Sequence, residues 1–361
     1  MKLYKLNSDS IKKSIICKHV NSNLINKTIK KTHKPKAGDV AIFKVKAIGK
    51  HTRMQCVDGN SRFILEDDYI MAAFGNRYAT EQMEGKIPDT YQTTYHVLGQ
   101  GGAIGVIENI HQKFELVGPT TLSLVGYVVD DQGVVINTKN IHNMFESYKL
   151  SKQNNPKIIL SLGTSMDSGK TTSAAFLANG LKKANKKVAY IKLTGTVFTK
   201  DKNFVRDYGA DVCVDFSDFG FPSTYMCSNN ELKELLSNAL KYVNQFSPEF
   251  IIMEIADGLL QRETWNLIHN KTILENVFGV LFSSMDSMSA ISGAKLLSGL
   301  NFNVIGVTGL FTTSPLLINE VQLKSHYTVL TKEELTSKKI VETLHNKLSI
   351  VRYENKMAVN I

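Results

Sequence analysis

One run of residues carries the chain's most specific chemical pattern: Gly163, Thr164, Ser165, Met166, Asp167, Ser168, Gly169, Lys170, Thr171 and Thr172. An apolar run, 158–162, leads into it, and an alanine-rich stretch, 173–184, follows. Strand, small-residue loop ending in Gly-Lys-Thr, then helix is the context in which such a loop binds phosphate. The amides of a tight loop point inward and form an anion nest. The helix behind adds the partial positive charge of its N-terminus. Gly169 has no side chain to keep the backbone from a phosphate. Lys170 is the residue that would reach the β- and γ-phosphate oxygens of ATP, and Thr171 the one whose hydroxyl would sit on Mg2+. The common spacing is G-x-x-x-x-G-K-[ST]. Here Thr164 holds its first position and Gly163 lies one place earlier, which makes the loop one residue longer.

Further residues sit where such a loop needs partners. Lys192 closes the apolar segment 188–193. If that segment neighbours the loop's own strand, its ammonium bridges a phosphate and an acidic second substrate; otherwise it is a surface lysine at a strand end. Glu254 closes 250–255, and a carboxylate delivered at a strand end is what a phosphate-loop enzyme uses to complete its magnesium site. Asp257 is three residues further on and reads as a helix cap or as a second carboxylate for the same ion. Asp215 closes 212–215 and is the best placed member of an acid-rich region, 201–218, to hold Mg2+ directly or through water. Asp286 reads as a helix cap or a substrate contact. The loop 306–315 is a candidate clasp for a base or a second substrate.

These residues require a scaffold that delivers strand ends to one edge. From 157 to about 325 apolar strands alternate with helical stretches, the latter at 170–184, 230–246, 262–269, 287–299 and 315–325. The pattern predicts a doubly wound, mostly parallel sheet in an α/β domain, 151–361, with its ligand at the carboxyl ends of the strands. Residues 38–150 differ. Short alternating segments at 40–47, 62–65, 69–74, 95–98, 104–110, 121–129 and 134–136 are separated by turn residues, which predicts a smaller β-rich, barrel-like domain. Two of its loops, 75–78 and 99–102, place Asn76, Arg77 and His96 beside flexible backbone, as a substrate site or as ordinary turns. Residues 140–156 read as a linker, and the tail from 326 as packing.

Composition narrows the classes. The net charge is +10, but residues 1–37 hold ten lysines against one acid, and the remainder is close to neutral. That arm lacks arginine and aromatic interleaving, so it reads as a solvated basic tail rather than a nucleic-acid or lipid contact. The four cysteines, Cys17, Cys56, Cys213 and Cys227, show no C-x-x-C spacing, which fits free thiols in a reducing, cytoplasmic setting. No apolar run approaches the roughly 20 residues of a membrane helix, and no secretory signal is visible.

The loop 163–171 resembles the G-T-D-x-x-x-G-K-T loop of dethiobiotin synthetases. Their second strand also ends in a lysine, matched by Lys192, and their E-G-A-G-G motif aligns with residues 254–258, departing at the second and fourth positions. The loop is equally similar to the G-T-x-x-x-x-G-K-x-T-T run of a P-loop family that includes D-amino-acid N-acetyltransferases. The first resemblance implies a Mg2+- and ATP-dependent ligase-type enzyme acting on a small carboxylate- or amine-bearing metabolite, with Lys170 and Lys192 catalytic, Mg2+ on Thr171 and Glu254, and a homodimer. The second implies acyl transfer from acetyl-CoA to an amino acid. A nucleotide-dependent chaperone or regulator is the third expectation.

Overall fold

The alternating segments after residue 40 and the apolar segments after residue 157 form strands of two different sheets. The computed structural model describes residues 3–5, 10–145, 156–270 and 277–344. The chain divides into two compact units. The first is Met1–Tyr148 with Thr194–Thr199 and Asp215–Asn238; the second is Lys149–Leu193, Lys200–Val214 and Ala239–Ile361.

The first unit contains a nine-stranded sheet. Its strands are β1 (Leu3–Lys5), β2 (Ile11–Lys13), β3 (Leu24–Asn26), β4 (Val40–Ala47), β7 (Tyr69–Phe74), β8 (Met83–Lys86), β9 (Tyr95–Gly99), β10 (Ala103–Ile110) and β11 (Thr121–Val129). A separate hairpin pairs β5 (Arg53–Gln55) with β6 (Ser61–Phe63). Five strands close on themselves: β4 pairs β7, β7 pairs β10, β10 pairs β9, β9 pairs β11, and β11 returns to β4. Only the β7–β10 step of that ring is parallel. A closed ring leaves no edges among its members, and the barrel-like expectation holds. Alternate residues of the ring turn inward, and Phe43, Phe74, Tyr95 and Tyr127 fill it. Phe74 packs edge-on to Phe43 and Tyr95 at centroid distances of 5.5 and 5.7 Å and stacks on Tyr127 at 5.9 Å, geometries that suit ring quadrupoles.

Two expectations about this half need correction. The lysine-rich segment is not a solvated tail over its described length. β2 pairs with β7, β3 with β11, and Ile15, Ile16, Cys17, Val20 and Ile25 are buried. Isoleucines between the lysines anchor the backbone, and Lys12, Lys13 and Lys18 are themselves held, by Asp68, the Val20 carbonyl and Asp218. The division at 150 also misses two returns of the chain. Residues 194–199 and 215–238 belong to the barrel's unit. There Gln55 exchanges hydrogen bonds with Thr199 (2.6 and 3.1 Å), Thr138 donates to the Gly220 carbonyl (2.6 Å), and Lys18 pairs with Asp218 (2.7 Å). Of the expected linker, residues 146–155 lie outside the described residues, and so does the tail from 345.

The second unit holds a six-stranded sheet in the order β14-β13-β15-β12-β16-β17. The strands are β12 (Lys157–Gly163), β13 (Val188–Lys192), β14 (Val212–Asp215), β15 (Phe250–Glu254), β16 (Val277–Ser283) and β17 (Val304–Thr308). The pairings of β12 with β15 and β16, of β13 with β15 and of β16 with β17 are all parallel. The unit's helices are α1 (Lys170–Lys183), α2 (Lys200–Asp207), α4 (Arg262–Ile268), α5 (Ser287–Gly299), α6 (Pro315–Lys324) and α7 (Lys332–Leu335), while α3 (Asn229–Asn244) begins among the first unit's residues and ends among the second's. β12 is central, and the chain leaves it in one direction for β13 and returns past it for β16. The crevice at such a switch point, beyond the carboxyl ends of the strands, is where ligands bind in open α/β sheets. α1 buries Ala174, Ala175, Leu177, Ala178 and Leu181, a stripe at helical spacing, in the core that also holds Tyr190 and Ile252. Among the described residues no helix is long and apolar enough to cross a membrane.

Candidate functional site: the loop between β12 and α1

β12 ends at Gly163 and α1 starts at Lys170. Gly169 caps α1 at φ 101°, a left-handed conformation that glycine adopts without strain. Asp167, exposed at the loop's tip, has φ 60°. The neighbouring turn after β17 packs against this loop: Leu310 N–H donates to the Ser168 carbonyl (3.2 Å). Gly309 permits that approach at φ 106°, because a Cβ there would meet Ser168 O at 2.5 Å. The Thr164 amide is used, donating to Ser283 O at 3.0 Å. The amides of residues 165–172 are not: among the described residues no protein group accepts from them. Thr164 Oγ1 and Ser168 Oγ are buried and also without partners. The loop therefore gathers donors with nothing to donate to, as an anion cradle must before its ligand arrives.

Lys170 lies at the centre of this arrangement, 7% exposed. Its Nζ donates to the Ser165 carbonyl (2.6 Å), and no carboxylate lies within ion-pair distance of it among the described residues. Burial pushes its ammonium below the ordinary lysine range, against the upward pull of the Glu254 and Asp257 carboxylates. The cation is thus short of negative charge in the ligand-free state.

Glu254, 1% exposed, is the hub beside it. Oε1 accepts from Thr171 Oγ1 (3.0 Å) and from Lys192 Nζ (3.2 Å); Oε2 accepts from the Tyr190 hydroxyl (2.8 Å). Register explains the convergence: Lys192 of β13 and Ser161 of β12 both pair with Glu254 of β15. Lys192 also bonds Asp201 of α2. Burial alone would lower the Lys192 ammonium, but Glu254 and Asp201 outweigh it and hold it above the usual lysine range. Tyr190 is fully buried and its phenol is pushed well up by burial and by Glu254, so it donates and does not ionise.

The residues at 163–172, Lys192 and Glu254 come together in one place. Asp215 does not join them as a described contact. It belongs to the other unit and serves as the N-cap of the short helix Phe216–Phe219, its Oδ1 accepting from the Ser217 and Asp218 amides (2.8 and 3.3 Å). Its Oδ1 is thereby engaged in capping. Asp257 is not the cap of α4, since Gln261 accepts from the Thr264 amide there; Asp286 does cap α5. Asn76 and His96 hold barrel backbone, the Ile87 and Ile107 amides respectively. Tyr190, which the sequence reading did not single out, holds Glu254, and Asp201, a member of the acid-rich region 201–218, holds Lys192. The Tyr-Ile-Lys alternation of β13 was the available signal, since residues two apart share a face. Thr171 Oγ1 and Glu254 Oε1 are hard oxygen donors side by side, the kind Mg2+ takes, so the residues present fit the ion.

No family model matches the sequence, and no curated protein matches it. Among solved structures, the signal recognition particle receptor FtsY from Elizabethkingia anophelis is similar at 16% identity and a TM-score of 0.36, over 58% of this chain and 74% of that one. The signal recognition particle 54 kDa protein from Aeropyrum pernix K1, in complex with GDP, is similar at 16% and 0.36, over 61% and 54%. HypB from Helicobacter pylori, in complex with nickel, stands at 15% and 0.34, over 61% and 96%. Likeness at this level carries no argument. The fold class follows from the strand order and the loop themselves: this is a mostly parallel α/β domain with a P-loop-type turn between β12 and α1.

Two outcomes follow from the charge balance. Lys170→Met relieves a buried, uncompensated cation, so the ligand-free protein should melt at the same temperature or higher in calorimetry while losing its response to nucleotide; a clear loss of ligand-free stability would contradict this. Lys192→Met strips the buried Glu254 of its cation and should cost about 3–5 kcal/mol at neutral pH. Because its folded-state value is raised, the Lys192 contribution is fully present below about pH 10.4 and fades as pH climbs through the raised value. The gap between variant and wild type in urea melts should therefore narrow only in strong alkali.

Proposed function

We propose that the second unit binds the polyphosphate of ATP together with Mg2+ and passes the γ-phosphoryl group to a small carboxylate- or amine-bearing metabolite, as a ligase-type enzyme. The observation that carries the nucleotide part is the row of unused amides at 165–172 around the buried Lys170 ammonium. A polyphosphate supplies the acceptors and the negative charge that this row and this cation lack. The transfer part is supported by the motif resemblance to dethiobiotin synthetases at residues 163–171, 192 and 254.

In this reading a carboxylate or carbamate oxygen of the acceptor bonds to the γ-phosphorus as the bond to the β–γ bridging oxygen breaks, and that electron pair leaves with ADP. An amine nitrogen then bonds to the acyl carbon, the bond from that carbon to the phosphate oxygen breaks, inorganic phosphate leaves, and the amine proton goes to solvent. The chain acts by position and charge. The loop amides hold the phosphates, Lys170 neutralises their outer charge, and Tyr190 and Lys192 fix the Glu254 carboxylate against Thr171. Thr171 and Glu254 would hold Mg2+, which neutralises phosphate charge when bound.

A thermal-shift series with ATP, GTP and acetyl-CoA, with and without Mg2+, tests the reading on the full chain and on Lys170→Ala. Ligand at about 100 times its Kd adds about 2.7 kcal/mol of stability. The expected result is a Mg2+-dependent rise with ATP that Lys170→Ala abolishes. A larger rise with acetyl-CoA than with ATP would overturn it in favour of acyl transfer. γ-Labelled ATP separates the remaining alternative. Phosphate released at an unchanged rate with and without metabolite acceptors, or nucleotide-driven assembly without turnover, would replace ligase chemistry with a nucleotide-dependent regulator.

A further inference from the structure

The barrel unit contains a second concentration of positive charge, far in sequence from the loop and independent of how the loop is read. Lys50 and His51 follow β4, and Arg77 follows β7. Arg77 is 9% exposed and His51 3%. Lys50 Nζ and Arg77 Nη2 (2.7 Å) both donate to one neutral acceptor, the amide oxygen of Gln82. Arg77 Nη1 donates to the Leu98 carbonyl and lies 3.4 Å from His51 Nε2. His51 Nδ1 is buried and makes no well-formed hydrogen bond. Lys50 has no carboxylate within ion-pair distance among the described residues. Lys113, whose charge is felt at Lys50, is itself paired with Glu81 (2.8 Å), and His111 reaches the same carboxylate at 4.0 Å.

We propose that Lys50, His51 and Arg77 form a receptor for a small oxyanion, with the Gln82 amide oxygen marking the position the anion's oxygens approach.

Gln82 satisfies hydrogen-bond geometry but cancels no charge, and the half-buried Lys50 ammonium, with no carboxylate within ion-pair distance among the described residues, is unstable unless it is neutralised or an anion joins it. The first response is visible in the ligand-free state. Burial and the nearby Arg77 and Lys113 push the Lys50 amine down to about 8. Burial, Arg77 and Lys50 push His51 down to about 3, with the Val97 backbone pulling the other way. The second response is the proposal: a carboxylate or phosphate offers several acceptor oxygens to Lys50 and Arg77 at once, as charge-assisted hydrogen bonds. The Phe114 ring, 4.8 Å from Lys50 Nζ, adds an apolar flank on which an organic acid would rest.

Amine reactivity at Lys50 reads this out directly, since only the neutral amine acylates. Trace acetic anhydride labelling near the amine's own midpoint, followed by peptide mass spectrometry, is run on full-length Lys170→Ala, which silences the phosphate loop. Millimolar phosphate and millimolar acetate are the two probes, each against chloride at equal ionic strength. Binding that raises the Lys50 pKa by about one unit should slow its labelling about fivefold, while Lys157 labels at an unchanged rate. Protection by phosphate alone assigns an inorganic or phosphoryl ligand; protection by acetate assigns a carboxylate. Arg77→Lys keeps the charge but loses the fork and should weaken the protection. Unchanged Lys50 labelling with both anions, or protection that Lys157 shares, would overturn the proposal and leave the cluster as a brace of the barrel.

Discussion

A backbone N–H left without an acceptor costs about 1–3 kcal/mol where water is excluded, and native chains seldom tolerate a row of them. Residues 165–172 give their amides no protein acceptor, but most of these residues are at least partly exposed, so water serves the amides until a ligand displaces it, and the rest of the second unit leaves them open. The left-handed Gly169 turns the chain into α1 without drawing the loop amides into the helix's own ladder. Gly309 lets a second turn brace the loop from behind through Ser168 O, on the carbonyl side, leaving the amides untouched. The buried ammonium of Lys170 adds a full charge to the partial charges of the amides. Function at this end of the sheet depends on those donors remaining unspent until a ligand arrives.

Glu254 is the opposite case, a carboxylate already bonded within the ligand-free protein. Three donors from two elements, Thr171 of α1 and Tyr190 and Lys192 of β13, meet its two oxygens. A buried ion pair of this kind is weak evidence for stability, but it fixes geometry: it ties the first turn of α1 to the ends of β13 and β15. Lys192 is shared between Glu254 and Asp201, so its charge is balanced, whereas that of Lys170 is not. The two lysines therefore differ in kind. One holds the frame, and the other is left to neutralise what enters the cradle.

Much of this was legible in the sequence because it depends on local pattern. Apolar runs bounded by small polar residues marked the sheet's strands at 158–162, 188–193, 212–215 and 250–255, and the Gly-Lys-Thr ending marked the loop between β12 and α1. What escaped depends on partners distant along the chain. The strands β1–β3 are three residues each and β1 and β2 carry lysines, so local pattern marks them poorly, and pairing makes them strands: β2 on β7, β3 on β11 and β1 on β3. α2 has the composition of a solvated acidic and basic stretch and is held through Asp201 and the buried Val205. Asp215 has the right residue type at a strand end, and its Oδ1 also takes neighbour amides, a competition no spacing rule resolves. The closure of the barrel turns on a single parallel pairing between β7 and β10, which alternation alone does not encode.

The central claim, that the amides between Ser165 and Thr172 await a polyphosphate, is tested most directly by residue-resolved amide hydrogen exchange with and without Mg2+-ATP. The account predicts fast exchange at these amides in the free protein and strong protection when nucleotide is added, centred on Gly169, Lys170 and Thr171. Amides already protected without ligand, or exchange that saturating nucleotide leaves unchanged, would contradict it.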